Sequence, residues 1–432
     1  MAFLHDASVA CAKSELDIFD IPPTQTSIEK SLFVEVQPVA ALSDNGPLDF
    51  CISGSGDYYY DLNNTQLYIN CRIVKQDNTA IADGSRVDIT LGDQLISQSD
   101  NLYSYRAYIE TLLNYSSQTL SSQFTAGLFY KDTAGHHNDR GLDGANSGFI
   151  KRANATSHSK PDDLLGPIFG DIFNQPKLML NGLDLKVKLT RNKDAFCLMS
   201  AEAEPLKVQI SQAALYVKRV QVSPAVQISH SQALLSATAK YAIDRTCMKV
   251  YSIAAGTQIT NHENLFLGQI PKTVILGFVD NEAFSGSYAK NPLLFYHVSH
   301  AALYLDGQQI PARPYNPNFN VDLAIRGYMA LAHISGKQKA DCAMAIDREE
   351  FMAGFTLFAF DLSPDQEPGG HFSLIKTVLA SANKHFKLIS ESPTSVWFPH
   401  LATHSESIKK ASVSSFRIIF FKALLTAFQT EK

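Results

Sequence analysis

The chain has 432 residues, 45% of them hydrophobic and 18% charged, with 17 Tyr, 26 Phe and a formal net charge of −5 at pH 7. Low charge with many aromatics suits extensive burial and excludes disorder, and the acidic balance argues against a protein that grips nucleic acid directly through a basic surface. No run approaches the roughly 20 apolar residues of a membrane span. The start, MAFLHDASVACAKSE, lacks the cationic and apolar order of a secretory signal. A soluble intracellular protein is expected, in which the sequons at Asn63, Asn114 and Asn154 carry no meaning. Cys11, Cys51, Cys71, Cys197, Cys247 and Cys342 are far apart and form no CxxC pair, so neither a zinc site nor a disulfide framework is expected.

The elements in chain order are mostly strands. SGSGD (Ser53 to Asp57) has two glycines, but YYYD follows where a phosphate cradle would need a helix. TQLYINCRIV puts Leu67, Ile69, Cys71 and Ile73 on one side, the period of a strand. VDITLGDQLIS reads strand, glycine turn, strand, as does AALYLDGQQIP around Gly307. YRAYIETLLNY (Tyr105 to Tyr115) predicts a helix, and LDLKVKLT alternates apolar and polar residues as a half-buried strand does. Pro224 ends a strand and opens a seam, followed by a second helical stretch, SQALLSATAKY (Ser231 to Tyr241), and a turn around DREEF. No βαβ rhythm appears, so an antiparallel, all-β sandwich architecture with a few short helices is expected. Sandwiches use roughly 200–250 residues each, and two fill the chain.

A faint repeat supports two similar halves. In each, a glycine hairpin (Gly92, Gly307) is followed by Arg-small-Tyr (Arg106, Arg326) and then by Phe-x-Ala-Gly (Phe124, Phe351) leading into a strand. Three matches in one order favour duplication.

The stretch with most chemical potential is KDTAGHHNDRGLDG, Lys131 to Gly144. Zinc wants three or four ligands in fixed geometry. His136 and His137 are adjacent and point opposite ways on an extended chain, and Asp139 and Asp143 could join only if the loop folded back. A solvated loop is expected, and no metal. IKRANATSHSK (Ile150 to Lys160) reads as a second solvated loop. Ser287 and Lys290 match the S-x-x-K of serine acyl-transferases, without the helix start or companion motifs. His400 and His404 are four apart, but no Glu follows His400 as a zinc protease requires. No catalytic, cofactor-binding or metal-binding residue is assigned.

Five stretches, YRAYIETLLNY, LFYKDTAGH, LNGLDLKVKLTRNKDAFCLMS, ENLFLGQIPKTVILGFVDNEAFSGSYAKNP and LFAFDLSPD, together resemble the double jelly-roll major capsid protein of Polinton (Maverick) elements and adintoviruses. The resemblance runs with gaps from about Ser31 to about Thr377. In that family each chain holds two jelly rolls, three chains form a pseudo-hexagonal capsomer, and capsomers tile an icosahedral shell. The resemblance therefore implies a hexon-like structural protein without catalysis or cofactor. It also implies self-association as a homotrimer, a penton-like minor capsid protein as partner, and location in a virion, or in nucleus or cytoplasm if unassembled. Implied domains are an N-terminal arm (1–30), a first jelly roll (31–230), a second (231–377) and a tail (378–432).

The sequence departs from the family twice. A stretch is missing between IADG and RVDITLG, and the tail, which contains the single Trp397, does not resemble the family's two last strands. SVSSFRIIFF (Ser412 to Phe421) is long enough for a strand, but Arg417 interrupts it and Phe420–Phe421 breaks its alternation. On that reading the second sandwich lacks its closing strands, an unpaired edge is left, and the chain aggregates or forms irregular oligomers, as a decayed genomic copy would. The other readings are a host protein that keeps the fold for a binding role, and a cupin-type enzyme. The latter needs His and carboxylate clusters on strands that the sequence lacks.

Overall fold

A computed structural model describes residues 18, 24–42, 46–54, 56–75, 86–91, 94–98, 102–200, 206–257, 259–263, 265, 268–305, 307–339, 341–363, 377–378, 387–391 and 416–430, the last three stretches and 86–91 and 94–98 as backbone. Trp397, His400, His404, Cys11 and the gap after IADG lie outside the described residues.

Eight strands build the first half: β1 (Ile28–Val36), β2 (Leu48–Ile52), β3 (Tyr58–Lys75), β4 (Arg86–Leu91), β5 (Gln94–Gln98), β6 (Asp162–Pro167), β7 (Leu185–Thr190) and β8 (Leu206–Val222). They form two antiparallel sheets, β1-β8-β3-β6 and β2-β7-β4-β5. The second half has β9 (Ala239–Ile253), β10 (Ile259–His262), β11 (Gly268–Gln269), β12 (Thr273–Asp280), β13 (His300–Leu305), β14 (Gln308–Tyr315), β15 (Leu357–Asp361), β16 (Thr377–Val378), β17 (Lys387–Glu391) and β18 (Phe416–Thr430). Its sheets are β9-β18-β12-β15 and β10-β17-β13-β14, with β11 and β16 as a separate ribbon. Position by position the two orders are the same. Two sheets of four, in which distant strands lie side by side, are the jelly-roll arrangement. The fold is a double jelly roll. The strands that flank Gly92 and Gly307 are in each case the edge pair of the second-named sheet, β4–β5 and β13–β14, as duplication predicts.

The closing strands correct the expectation of an incomplete second sandwich. β18 pairs along β12, with Phe420 opposite Leu276, and along β9 over fifteen positions from Phe416–Ile253 to Thr430–Ala239. β17 pairs with both β10 and β13. Ladder bonds are made by backbone groups, so a tail of different sequence supplies them. Broken alternation is no obstacle here. The neighbour β12 is buried continuously from Val274 to Asp280, and β15 from Leu357 to Phe360. A sheet covered on both faces reads as a continuous apolar run.

The helices are α1 (Tyr103–Asn114), α2 (Ser117–Ser121), α3 (Ser147–Ala155), α4 (Asp194–Cys197), α5 (Pro224–Leu234), α6 (Asn281–Ser285), α7 (Ile325–Ile334) and α8 (Arg348–Met352). Pro224 is the first residue of α5, whose fixed φ suits a helix start. The predicted helix over 231–241 ends instead at Leu234, and β9 begins at Ala239. At DREEF, Asp347 and Glu350 form a reciprocal capping box on α8. The third repeat match holds only in part: Phe351 leads into β15, whereas Phe124 lies in a single helical turn and the next strand is β6. Each sandwich has its own core, around Phe50, Leu62, Val187 and Leu215 in the first and Leu276, Phe278, Leu303 and Phe358 in the second.

Candidate functional site: the junction between the sandwiches

The largest apolar cluster lies within neither sandwich but between them. Tyr105, Ile109 and Leu112 of α1 pack with Ile275 and Val279 of β12, Leu357 and Ala359 of β15, and Phe295 and Phe355. On β12 and β15 these alternate with residues of the second core, so α1, from the first half, covers the outer face of a sheet of the second. Tyr105 stacks on Phe284 of α6 with ring centroids 5.7 Å apart, and meets Phe196 of α4 edge-on. The Leu112 carbonyl accepts a 2.8 Å hydrogen bond from Ala345 N–H.

On its other side α1 is held by a buried ion network. Arg106 Nε donates to Glu110 at 2.9 Å, one turn on, and its NH2 group donates to Asp171 at 2.6 Å. Asp171 Oδ1 also accepts Thr246 N–H of β9 at 3.1 Å, tying both halves to one carboxylate. Burial pulls the Arg106 guanidinium down, but Glu110 and Asp171 outweigh it and hold its pKa above the ordinary value. Burial raises Glu110, opposed by Arg106. The sequence shows the Arg106–Glu110 spacing; Asp171, sixty-five residues away, carries no local signal.

The expected solvated loop at Lys131 to Gly144 is corrected. Its first part folds into the junction, with Asp132 and His137 buried, as is Asn146 just beyond it, whereas Gly141 to Asp143 are exposed as expected. Asp132 has one oxygen paired with Arg152 of α3 and the other accepting Asn291 Nδ2 at 2.8 Å. One partner comes from each half. Asn291 N–H donates to Asn138 at 2.7 Å, and its side chain also to the His137 carbonyl at 3.2 Å. Gly135 N–H donates to the Ala353 carbonyl at 2.6 Å, and Lys131 bonds Glu350 and the Ala345 carbonyl. Asn146 caps α3 and accepts Thr133 N–H. The reason is the one the sequence could not supply: the facing half presents partners for Asp132, Lys131 and the loop's backbone groups, so burial leaves those satisfied. IKRANATSHSK is likewise not solvated throughout, since most of α3 comes from it and Arg152 turns inward.

His137 itself is 1% exposed and lies 4.8 Å from the Phe355 ring, and neither ring nitrogen has a hydrogen-bond partner among the described residues. Burial lowers its pKa to about 4, against a smaller upward pull from Asp132. His136 is only half buried. Asp139 does not approach the histidines as a ligand set would; it accepts Gly141 and Ala145 N–H at 3.1 and 2.7 Å, bonds that lower its pKa. Among the described residues no group of three or more His, Cys, Asp and Glu is placed to hold a metal ion.

Ser287 and Lys290 do meet at one short segment after α6. Ser287 Oγ donates to Glu282 at 3.1 Å, while Lys290 sits 3.0 Å from Asp280 and 2.7 Å from Glu282. Burial pulls Lys290 down, but the carboxylates keep its pKa above the ordinary value, so it stays protonated and is no base for the serine. Gly54 of SGSGD marks a backbone crossing: a Cβ there would lie 2.4 Å from Leu183 N, and Gly54 N–H donates to Asp184. Cys51, Cys71, Cys197, Cys247 and Cys342 are free thiols. No helix among the described residues is long and apolar enough to cross a membrane. The arrangement can lock two sandwiches into one body.

No family model matches the chain. It is 24% identical over 396 residues to Uncharacterized protein F54H12.2 of Caenorhabditis elegans, covering 85% of this chain and 92% of that protein. Similar solved structures include viral ones. A chain of the Sputnik virophage cryo-EM structure matches with TM-score 0.59 at 10% identity, over 98% of this chain and 93% of that one. A chain of the PBCV-1 virus capsid matches with TM-score 0.56 at 10% identity, over 96% and 99%. The Faustovirus major capsid protein matches with TM-score 0.52 at 7% identity, over 96% and 93%.

Proposed function

We propose that this chain is the major capsid protein of an icosahedral shell, with a homotrimer as its capsomer. The observation that carries the reading is the likeness to viral capsid chains over nearly the full length of both partners, so that both sandwiches and their connection match together. The junction supports it physically. A shell subunit must transmit load between its halves, and α1, the Arg106–Asp171 network and the Asp132–Asn291 knot fix them to each other. Complete second-sandwich sheets remove the reason to expect aggregation. In this reading 1–30 is an arm, the first jelly roll spans 31–230, and the second runs from 231 and takes its last strands from the tail. The protein has no catalytic, cofactor or metal site, binds a penton-like minor protein at shell vertices, makes no direct grip on nucleic acid, and resides in the virion once assembled.

The finer lineage reading is an element of the Polinton or adintovirus kind, on the five sequence stretches described above. The test of function is the oligomeric state of the full chain. Light scattering on a sizing column should give three times the chain mass, and negative-stain images should give pseudo-hexagonal capsomers or closed particles. A strict monomer at micromolar concentration sinks the capsid reading. Lineage is tested by reading the flanking genome in all frames, where packaging ATPase and protease genes are expected.

A further inference from the structure

The two helices aligned by the repeat are buried to different extents, α1 on nearly every side and α7 at Gly327, Leu331 and Ala332. With Arg106 set against Arg326, Tyr105 and Ile109 of α1 match Ile325 and Met329 of α7. Tyr105 and Ile109 are 2% and 0% exposed, pressed between the sandwiches, whereas Ile325 and Met329 are 46% and 37% exposed. Just before them Val321 and Leu323 are 59% and 66% exposed. This apolar strip is continuous with the inter-sandwich cluster, since Ala324, Leu331 and Ala332 of the same segment belong to it.

The sheets show the complementary difference. The outer face of β9-β18-β12-β15 is covered by α1. Its equivalent in the first sandwich, β1-β8-β3-β6, has an outer face set by register: Phe33 opposite Lys218, Tyr216 opposite Gln66, and Tyr68 opposite both Ala214 and Leu165. Residues directly opposite in a ladder share a face, and β8 alternates between this face and the first core, to which Ala213, Leu215 and Val217 belong. At one end of this face Tyr59 and Val220 are buried against Leu178, Leu180 and Val226; at the other Phe33 is 56% and Leu165 36% exposed, beside the half-buried Tyr68 and Tyr216.

We propose that the Val321–Met329 strip of one copy docks on the open, Phe33 and Leu165 part of the outer face of sheet β1-β8-β3-β6 of a second copy, repeating between chains the contact that α1 makes within one. The proposal rests on the capsomer reading and names its interface. Each copy then carries one donor strip and one acceptor face. Such a head-to-tail contact forms a ring where its rotation closes.

The test uses the full chain in two variants, donor-defective Ile325→Asp with Met329→Asp, and acceptor-defective Phe33→Glu with Leu165→Glu. All four positions are solvent-exposed in the single chain, so each variant should keep the wild-type circular dichroism and melting temperature. Each should be monomeric where wild type is trimeric, its self-association weakened by about 30-fold or more. Mixed together, the two variants should form dimers and no trimers, because only one good donor and one good acceptor remain. A photo-cross-linker at Met329 of otherwise wild-type protein should label peptides from β1 or β6 of another copy. If wild type is a trimer and either variant stays one, or the cross-link falls within one chain or elsewhere, this interface is wrong and the capsid reading stands. If wild type is itself monomeric, both fall. Should one variant fail to fold, the other and the cross-link still decide.

Discussion

Equivalent sheets in the two sandwiches meet different surroundings, and their residues follow the surroundings rather than the fold. The sheet β9-β18-β12-β15 has a core beneath it and α1 above, and its strands β12 and β15 are apolar almost without break. In β1-β8-β3-β6, β1 alternates exposed and half-buried residues from Phe33 to Val36, and β6 alternates along its whole length. Helices repeat the lesson. Arg106 is enclosed by two carboxylates, whereas Arg326, its match in the repeat, is exposed, donating to the carbonyls of Arg313 and Pro314 at 2.9 and 3.2 Å and lying over the Tyr315 ring, with no carboxylate partner among the described residues. Duplicated sequence patterns preserve topology, while each copy's burial is set by what lies against it.

The sharpest break of this comparison is at those arginines. Arg106→Leu leaves Glu110 and Asp171 buried without their cation and should cost about 3–5 kcal/mol. Arg326→Leu, on the surface, should cost about 1 kcal/mol or less. Urea unfolding of both variants measures the two, and equal costs would mean the two helices are not differently buried.

A middle-sized effect separates the junction from the sandwich cores through acid. His137 has a pKa of about 4 when folded, against an ordinary 6.5, so between those values the unfolded chain binds its proton and the folded chain does not. Its contribution is fully present above pH 6.5 and is lost as pH falls toward 4. Between pH 7 and pH 5 the loss should be about 2 kcal/mol. His137→Leu should abolish that part of the acid sensitivity, read from denaturant midpoints at the two pH values. An unchanged slope would mean the imidazole is hydrated in solution.

Gly148 tests how closely α3 approaches the loop. A Cβ there would lie 2.3 Å from the Lys131 carbonyl oxygen, so Gly148→Ala should cost about 1–3 kcal/mol by overpacking. The smallest effect is expected at His136→Ala, within about 0.5 kcal/mol. A thermal melt of the pair separates the buried part of the loop from its rim.

Much of the architecture is legible from local pattern. Alternation in LDLKVKLT marks β7, glycines mark the hairpins, Pro224 marks the seam, and Asp347 with Glu350 marks α8. The candidate site was far less legible. The histidine and aspartate loop carries the composition of a wet surface, and nothing local tells that Asn291, Ala353 and Glu350 of the other half would meet its polar groups.

By itself, then, the sequence determined the strand-rich class, the two halves and the order of their elements. Those depend on backbone preferences and on periodicities that act over a few residues. Tertiary structure alone decided which surfaces are covered. It placed a tail of unfamiliar sequence as β17 and β18, because ladder pairing asks for backbone groups and an extended run rather than particular side chains. It also turned Asp132 from an apparent surface residue into part of the buried tie between the sandwiches, and gave Arg106 its distant partner Asp171. Burying a polar group is tolerable only where distant partners satisfy it, and those partners are brought together only when both sandwiches have formed.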